Sequence, residues 1–158
     1  RQLLVGYSNR AELSTIVERT TRGADIDVAP VMDGQEILKW QQLIREVILA
    51  QHVQDYIVRL TLATHPEGEF AVPISNKFLR WGSSPRGAQA IALSAKVRAL
   101  LGGRYNVSFE DVRRVYLPAL RHRVILNFEA EAEGITTDQV LLDILENVPE
   151  KADQQSAA

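Results

Sequence analysis

"GSSPRGAQAIALSAKVRALLGG", residues 82–103, decides how the rest of the chain is read. It carries its own start and stop signals for a helix. Pro85 suits the first helical position, because its absent N–H would have no partner there, and it pushes Ser84 toward the extended geometry of an N-cap. Gly102 and Gly103 supply the stop. Between them Ala88, Ile91, Ala92, Ala95 and Ala99 recur at helical spacing, and a stripe of alanines lets a neighbouring helix approach closely. The spacing therefore predicts a central helix over 85–101. Arg86 goes against the pattern. A cation in the first turn sits beside the partial positive charge of the free amides and costs about 0.3–1 kcal/mol unless something negative arrives.

Outward from this helix, four further starts are marked by a capping residue with an acidic or amide partner three positions on: Asn9 with Glu12, Asp33 with Glu36, Ser108 with Asp111, and Thr136 with Gln139. Each such cap is worth about 1 kcal/mol, enough to specify where a helix begins. Apolar residues follow each at helical spacing: Leu13, Ile16, Val17 and Thr20; Ile37, Trp40, Ile44 and Val47; Val112, Val115 and Tyr116; Val140, Ile144 and Leu145. Val53, Tyr56, Ile57, Leu60 and Thr64 mark one more helix over about 52–65. Pro118 is expected to end or kink the helix that Ser108 starts, with "ALRHR" forming one more turn and "VILNF", 124–128, a short strand. Segments 22–34 and 66–83 lack a regular pattern and read as surface loops. The polar tail 150–158 reads as disordered. The chain thus predicts a mainly α fold, a bundle of about six helices with little or no sheet.

With 158 residues, 46% hydrophobic and 24% charged, the composition suits one soluble domain, and no stretch of 18 apolar residues suggests a membrane span. Cysteine is absent, so neither disulfides nor thiolate metal sites are available. With no signal-peptide pattern either, a cytoplasmic location fits. A formal charge of −2 argues against nucleic acid as the main partner. Arginine nevertheless outnumbers lysine 14 to 4, a choice suited to forked contacts with phosphate or carboxylate, or to ordinary surface ion pairs. The opening on Arg1 and "LLVGY" reads as the end of a strand or linker, residues 1–8, cut from something larger.

Most enzyme signals are lacking. His52, His65 and His122 show no metal-ligand spacing, so no metal site is expected. Glu110–Asp111 reads as a cap, and Glu129, Glu131 and Glu133 as a solvated acidic patch. Around Gly82, a nucleophile elbow would need glycine where Arg86 stands, and a phosphate-binding P-loop would need lysine and Ser/Thr where Ala88 and Gln89 stand. What remains is Ser84, Pro85 and Arg86 at a helix N-terminus, where dipole, free amides and guanidinium together suit an anion. The alternatives are that Arg86 pairs with a carboxylate such as Glu110, or points into water. One charge-assisted contact contributes about 1.5–3 kcal/mol. Even millimolar affinity needs about 4 kcal/mol, so a nucleotide would require a second surface.

From Trp81 to Val124 the sequence closely resembles the C-terminal lid of MoxR-family AAA+ ATPases. The pattern is carried by G-S-S-P-R-G at 82–87, G-R-Y-N-V-S-F-E-D-V at 103–112 and L-R-H-R at 120–123. "VGYSNRAEL" and "DYIVRLTLATH" resemble the family's stretch after the ATPase core and its penultimate lid helix, extending the likeness from Leu3 to about Pro149. The resemblance implies a helical lid over 9–149 whose Arg86 is the sensor-two arginine, reaching the γ-phosphate of ATP bound with Mg2+ by a preceding core. It further implies a hexameric ring of neighbouring subunits, a chaperone-like role in maturing or loading client proteins, and partners with von Willebrand factor A domains.

In that resemblance the Walker A and Walker B motifs and the arginine finger fall before Arg1, so this stretch alone is not expected to hydrolyse ATP. His65 departs from the arginine frequent at its position in the family, and the roles of Arg121, His122 and Arg123 are left open. Two other classes remain as rivals: a stand-alone helical adaptor in which Arg86 meets an acidic protein surface, and a helix-turn-helix DNA binder, which the acidic charge balance disfavours.

Overall fold

Each of the four predicted caps closes in the computed structural model, which describes residues 5–23 and 28–151. In all four the N-cap side chain accepts from the N3 amide, and the N3 side chain returns to the N-cap amide. The elements run α1 (Arg10–Thr21), α2 (Gly34–Glu46), α3 (Gln51–Leu62), α4 (Pro73–Phe78), β1 (Leu79–Trp81), α5 (Pro85–Leu101), α6 (Phe109–Leu120), β2 (Ile125–Leu126), α7 (Phe128–Ala132) and α8 (Thr137–Asn147). The fold is mainly helical, and all six expected helices are among these.

Three expectations need correction. The segment 66–83 is not a plain surface loop: it holds α4 and β1, and Ser75, Phe78, Leu79 and Ser83 are buried. Pro73 starts a helix of only six residues, too short for a helical period to register in sequence. The strand expected over 124–128 shrinks to Ile125–Leu126, because Asn127 turns the chain into α7 by accepting from the Ala130 amide. β2 pairs antiparallel with β1, Leu79 opposite Leu126 and Trp81 opposite Ile125, with an irregularity between. Finally, α6 runs through Pro118 to Leu120 instead of stopping. So close to the C-terminal end, the proline forfeits one backbone bond, to the carbonyl of Arg114.

The core lies between α3, α5 and α6, with α8 packed on α6 and α4 from the other side. Tyr56, Leu60, Ile91, Ala95, Ala99, Val112, Tyr116, Leu120, Val140 and Ile144 are all fully buried. Ala95 and Ala99 present only methyl groups, which is what lets α5 lie against α6 as the alanine stripe implied. At the predicted stop the Arg104 amide reaches back to the Ala99 carbonyl while Gly103 takes a φ of 69°, a left-handed residue that glycine adopts without strain.

α1 and α2 behave differently. Neither helix buries a residue among the described ones, and Leu13, Ile16, Val17, Ile37 and Trp40 stay exposed; the apolar face of α1 lies outside this core, whereas α2 packs on α5 through its C-terminal half, with Ile44 half-buried and Val47, just past its end, in the core. Val5 to Asn9 form neither helix nor strand. Residues 1–4, within the stretch expected to end a strand or linker, and 152–158 of the expected disordered tail lie outside the described residues. Pro149 and Glu150 are held in place, their carbonyls accepting from the buried Arg59.

Candidate functional site

The first turn of α5 is positioned by the end of α3, and the contact begins with hydroxyls. Thr64, fully buried just past α3, donates from Oγ1 to the Thr61 carbonyl. That leaves the Thr64 oxygen facing the next segment as an acceptor, where it takes the Ser83 amide at 2.8 Å. The next residue, His65, sets Nε2 2.8 Å from the Ser83 carbonyl. A carbonyl can only accept, so Nε2 carries the proton. Both backbone polar groups of the buried Ser83 are thus satisfied by consecutive residues, Thr64 and His65.

The glycines on either side explain why the segment can come so close. A Cβ on Gly82 would lie 2.5 Å from His65 Cδ2 and 2.6 Å from the Thr64 carbonyl oxygen, and one on Gly87 would lie 2.0 Å from Ser83 Oγ and 2.8 Å from Leu120 Cδ2. Any side chain there would collide. The start of α5 is therefore wedged between the end of α3 and the end of α6.

Out of this buried frame, Ser84, Pro85 and Arg86 face solvent. Ser84 has the extended geometry of an N-cap (φ −67°, ψ 169°) and Pro85 is the first helical residue, as predicted, yet the Ser84 side chain makes no cap hydrogen bond. Gly87 donates to the Ser84 carbonyl at 2.8 Å. The Arg86 amide has no partner, and its guanidinium forms neither ion pair nor hydrogen bond among the described residues. Glu110, offered by the sequence as a partner, is taken by Arg114 at 2.7 Å. Arg86 is thus an exposed donor set on a rigid base.

Those donors fit a phosphate oxygen. They cannot hold Mg2+, which requires oxygen ligands, so a metal bound to a nucleotide would need carboxylates or hydroxyls from elsewhere. Among the described residues no three His, Cys, Asp or Glu side chains gather as a metal site, and no helix is long and apolar enough to cross a membrane.

Several other basic residues are engaged within the fold. Half-buried Arg121 donates to Asp138 Oδ2 at 2.9 Å, and Arg123 Nε reaches the Ala119 carbonyl at 3.1 Å, complementing the C-terminal end of α6. His122 is exposed. Asp111 closes the cap expected of it and is, in addition, buried and bridged to Arg104. Lys77 crosses to Glu133 of the acidic patch at 3.1 Å. Sequence reading found Arg86 and its cap but missed the Thr64–His65 clamp. The only written hint was the pair of glycines flanking Ser83 and Arg86.

Comparison with known proteins finds relatives of this helical fold. Residues 73–144 match the family model for the AAA lid domain. The chain is 28% identical over 149 residues to the chaperone MoxR1 of Mycobacterium tuberculosis, covering 91% of this chain and 38% of that protein. It is 30% identical over 128 residues to protein MoxR of Methylorubrum extorquens, covering 77% of this chain and 37% of that protein. A crystal structure described as a "putative ATPase", from Cytophaga hutchinsonii, superposes with a TM-score of 0.78 at 29% identity, covering 92% of this chain and 44% of the other. The chain spans less than half the length of each of these relatives.

Proposed function

As the lid domain of a MoxR-family AAA+ ATPase, this chain, we propose, supplies Arg86 as the sensor-two arginine that touches the terminal phosphate of ATP held by a core domain. The observation that carries this reading is Arg86 itself: an exposed guanidinium without a partner among the described residues, in the first turn of a helix whose base is fully packed. ATP supplies the phosphoanhydride bond. Arg86 contributes positive charge where negative charge develops on the transferring phosphoryl group, from a frame that needs no reorganisation. Ser84 and Pro85 set the geometry of that turn.

A single such contact is too weak to hold a nucleotide, so Arg86 acts in concert with Mg2+ and the Walker motifs of the core. Closing the lid on bound ATP then couples hydrolysis to movement of lid against core. The reading extends to a hexameric ring in the cytoplasm with a chaperone-like role toward client proteins, and to a von Willebrand factor A domain protein as partner. The relative named as a chaperone supports the chaperone-like role.

The test is steady-state ATP turnover and nucleotide affinity of the full-length protein, with and without Arg86→Ala. Turnover is expected to fall about tenfold or more while affinity weakens modestly. A folded Arg86→Ala protein with both quantities unchanged would overturn the reading.

A further inference from the structure

We propose that His65 and Thr64 are positioning residues for Arg86, acting through the backbone of Ser83; the proposal rests on the sensor-two reading above. Between Ser83 and Arg86 lie only Ser84 and Pro85. The ring of Pro85 fixes its own φ, and it restricts Ser84 to the extended geometry that Ser84 shows. Little freedom remains between the two ends of this short segment. Where Ser83 is held therefore decides where the first turn of α5 starts, and with it the direction in which Arg86 projects.

The hold on Ser83 is bipartite and specific. Its amide goes to Thr64 Oγ1 and its carbonyl to His65 Nε2, each at 2.8 Å. The two partners differ in how they are kept in place. Thr64 is fully buried and its hydroxyl proton is committed to the Thr61 carbonyl, so its lone pair toward Ser83 is fixed by α3. His65 is only half-buried, and its ring is packed against the backbone of Gly82, where no side chain would fit. His65 is the member of the pair that can be altered without opening the core.

A contact that merely stabilised the fold would show in melting temperature and leave chemistry alone. A positioning contact behaves otherwise. It lowers the rate of the step that needs Arg86 while leaving nucleotide affinity, set mainly elsewhere, nearly intact. Its effect also disappears once Arg86 is gone.

The experiment is a double-mutant cycle in the full-length protein, reading ATP turnover, ATP affinity and thermal melting for His65→Leu, His65→Gln and Arg86→Ala, and for His65→Leu combined with Arg86→Ala. Glutamine places an amide N–H close to where histidine holds Nε2–H, so it is the conservative rescue. His65→Leu is expected to lower turnover about tenfold with affinity changed less than about twofold, because an ångström of misplacement at a transition-state contact is costly. His65→Gln is expected to recover most of that loss. In the Arg86→Ala background, His65→Leu should add nothing.

If Arg86→Ala lowers turnover but His65→Leu does not, the positioning role is wrong and the sensor-two reading stands. If the two losses multiply in the double variant, His65 acts independently of Arg86 and the proposal fails in the same way. If Arg86→Ala itself leaves turnover unchanged, the sensor-two reading falls and takes this proposal with it. Should His65→Leu fail to fold, Thr64→Val, which keeps the shape and removes the hydroxyl that accepts from the Ser83 amide and donates to the Thr61 carbonyl, carries the same comparison. A loss with Thr64→Val that Arg86→Ala abolishes supports the clamp, and no loss overturns it.

Discussion

Arg104 grips Asp111 with two parallel hydrogen bonds of 2.7 Å, tying the turn after α5 to the first turn of α6. The same carboxylate caps α6 by accepting from the amide and hydroxyl of Ser108, and Arg98 stands 3.6 Å away. One buried acid thus joins two helix ends.

Asp111 sets a pH dependence. Burial pushes its carboxyl up, but the bonds from Arg104 and from Ser108, with the charge of Arg104, outweigh this and bring it down to about 2. A folded value below the unfolded one of about 4 means the stabilisation is complete above pH 4 and is lost as pH falls through 2. Asp111→Asn is expected to cost about 1–3 kcal/mol at neutral pH, with the gap to wild type closing between about pH 4 and 2. Urea unfolding of both proteins at a series of pH values checks it; a constant gap would contradict it.

Gly87→Ala reverses the usual sign of its substitution. In a helix, alanine for glycine normally gains about 0.5–1 kcal/mol. Here the added methyl meets Ser83 Oγ and Leu120, and overpacking of a close-packed site costs about 1–3 kcal/mol. Gly82→Ala should be worse, since it strikes the Thr64 backbone, which cannot rotate away. Both melting temperatures should fall, in that order.

Arg59 should matter far beyond its own helix. Its side chain is only 4% exposed, donates from Nε to Asp55 at 2.8 Å, and donates from its two terminal nitrogens to the carbonyls of Pro149 and Glu150. Arg59→Ala is expected to cost about 2–3 kcal/mol, through three lost charge-assisted contacts and lost packing. Hydrogen exchange at Val148 and Glu150 should speed up more than at Ile91 or Ala95; uniform acceleration would mean the contact is not local to the chain end.

Arg86→Ala, by contrast, should leave stability within about 0.5 kcal/mol of wild type, as exposed sites without partners do. Relief at the α5 N-terminus even favours the variant slightly. A melt that drops by several degrees would mean that Arg86 supports the fold.

How much of this could be read in the sequence follows from how far each interaction reaches. The capping boxes at Asn9, Asp33, Ser108 and Thr136 close over three residues, and all four form as spaced. Such local devices are written in adjacent letters. α4 and α7 were missed because six and five residues hold too little of a 3.6-residue period to be counted. Ser83 and Leu79 looked like loop because their burial depends on elements far along the chain. The face of α1 illustrates the converse: Leu13, Ile16 and Val17 have the right spacing, yet nothing in spacing says which surface they meet.

By itself, then, the sequence determined where the helices start, where α5 stops and that Arg86 sits in an N-terminal turn, because caps, prolines and glycines act on their immediate neighbours. Only the tertiary structure decided that Thr64 and His65 hold Ser83 across 19 and 18 residues, that Arg59 anchors Pro149 across 90, and that Glu110 is unavailable to Arg86. Those contacts exist because packing α3, α5 and α6 brings distant residues within hydrogen-bond reach. Spacing along a chain carries no record of that proximity.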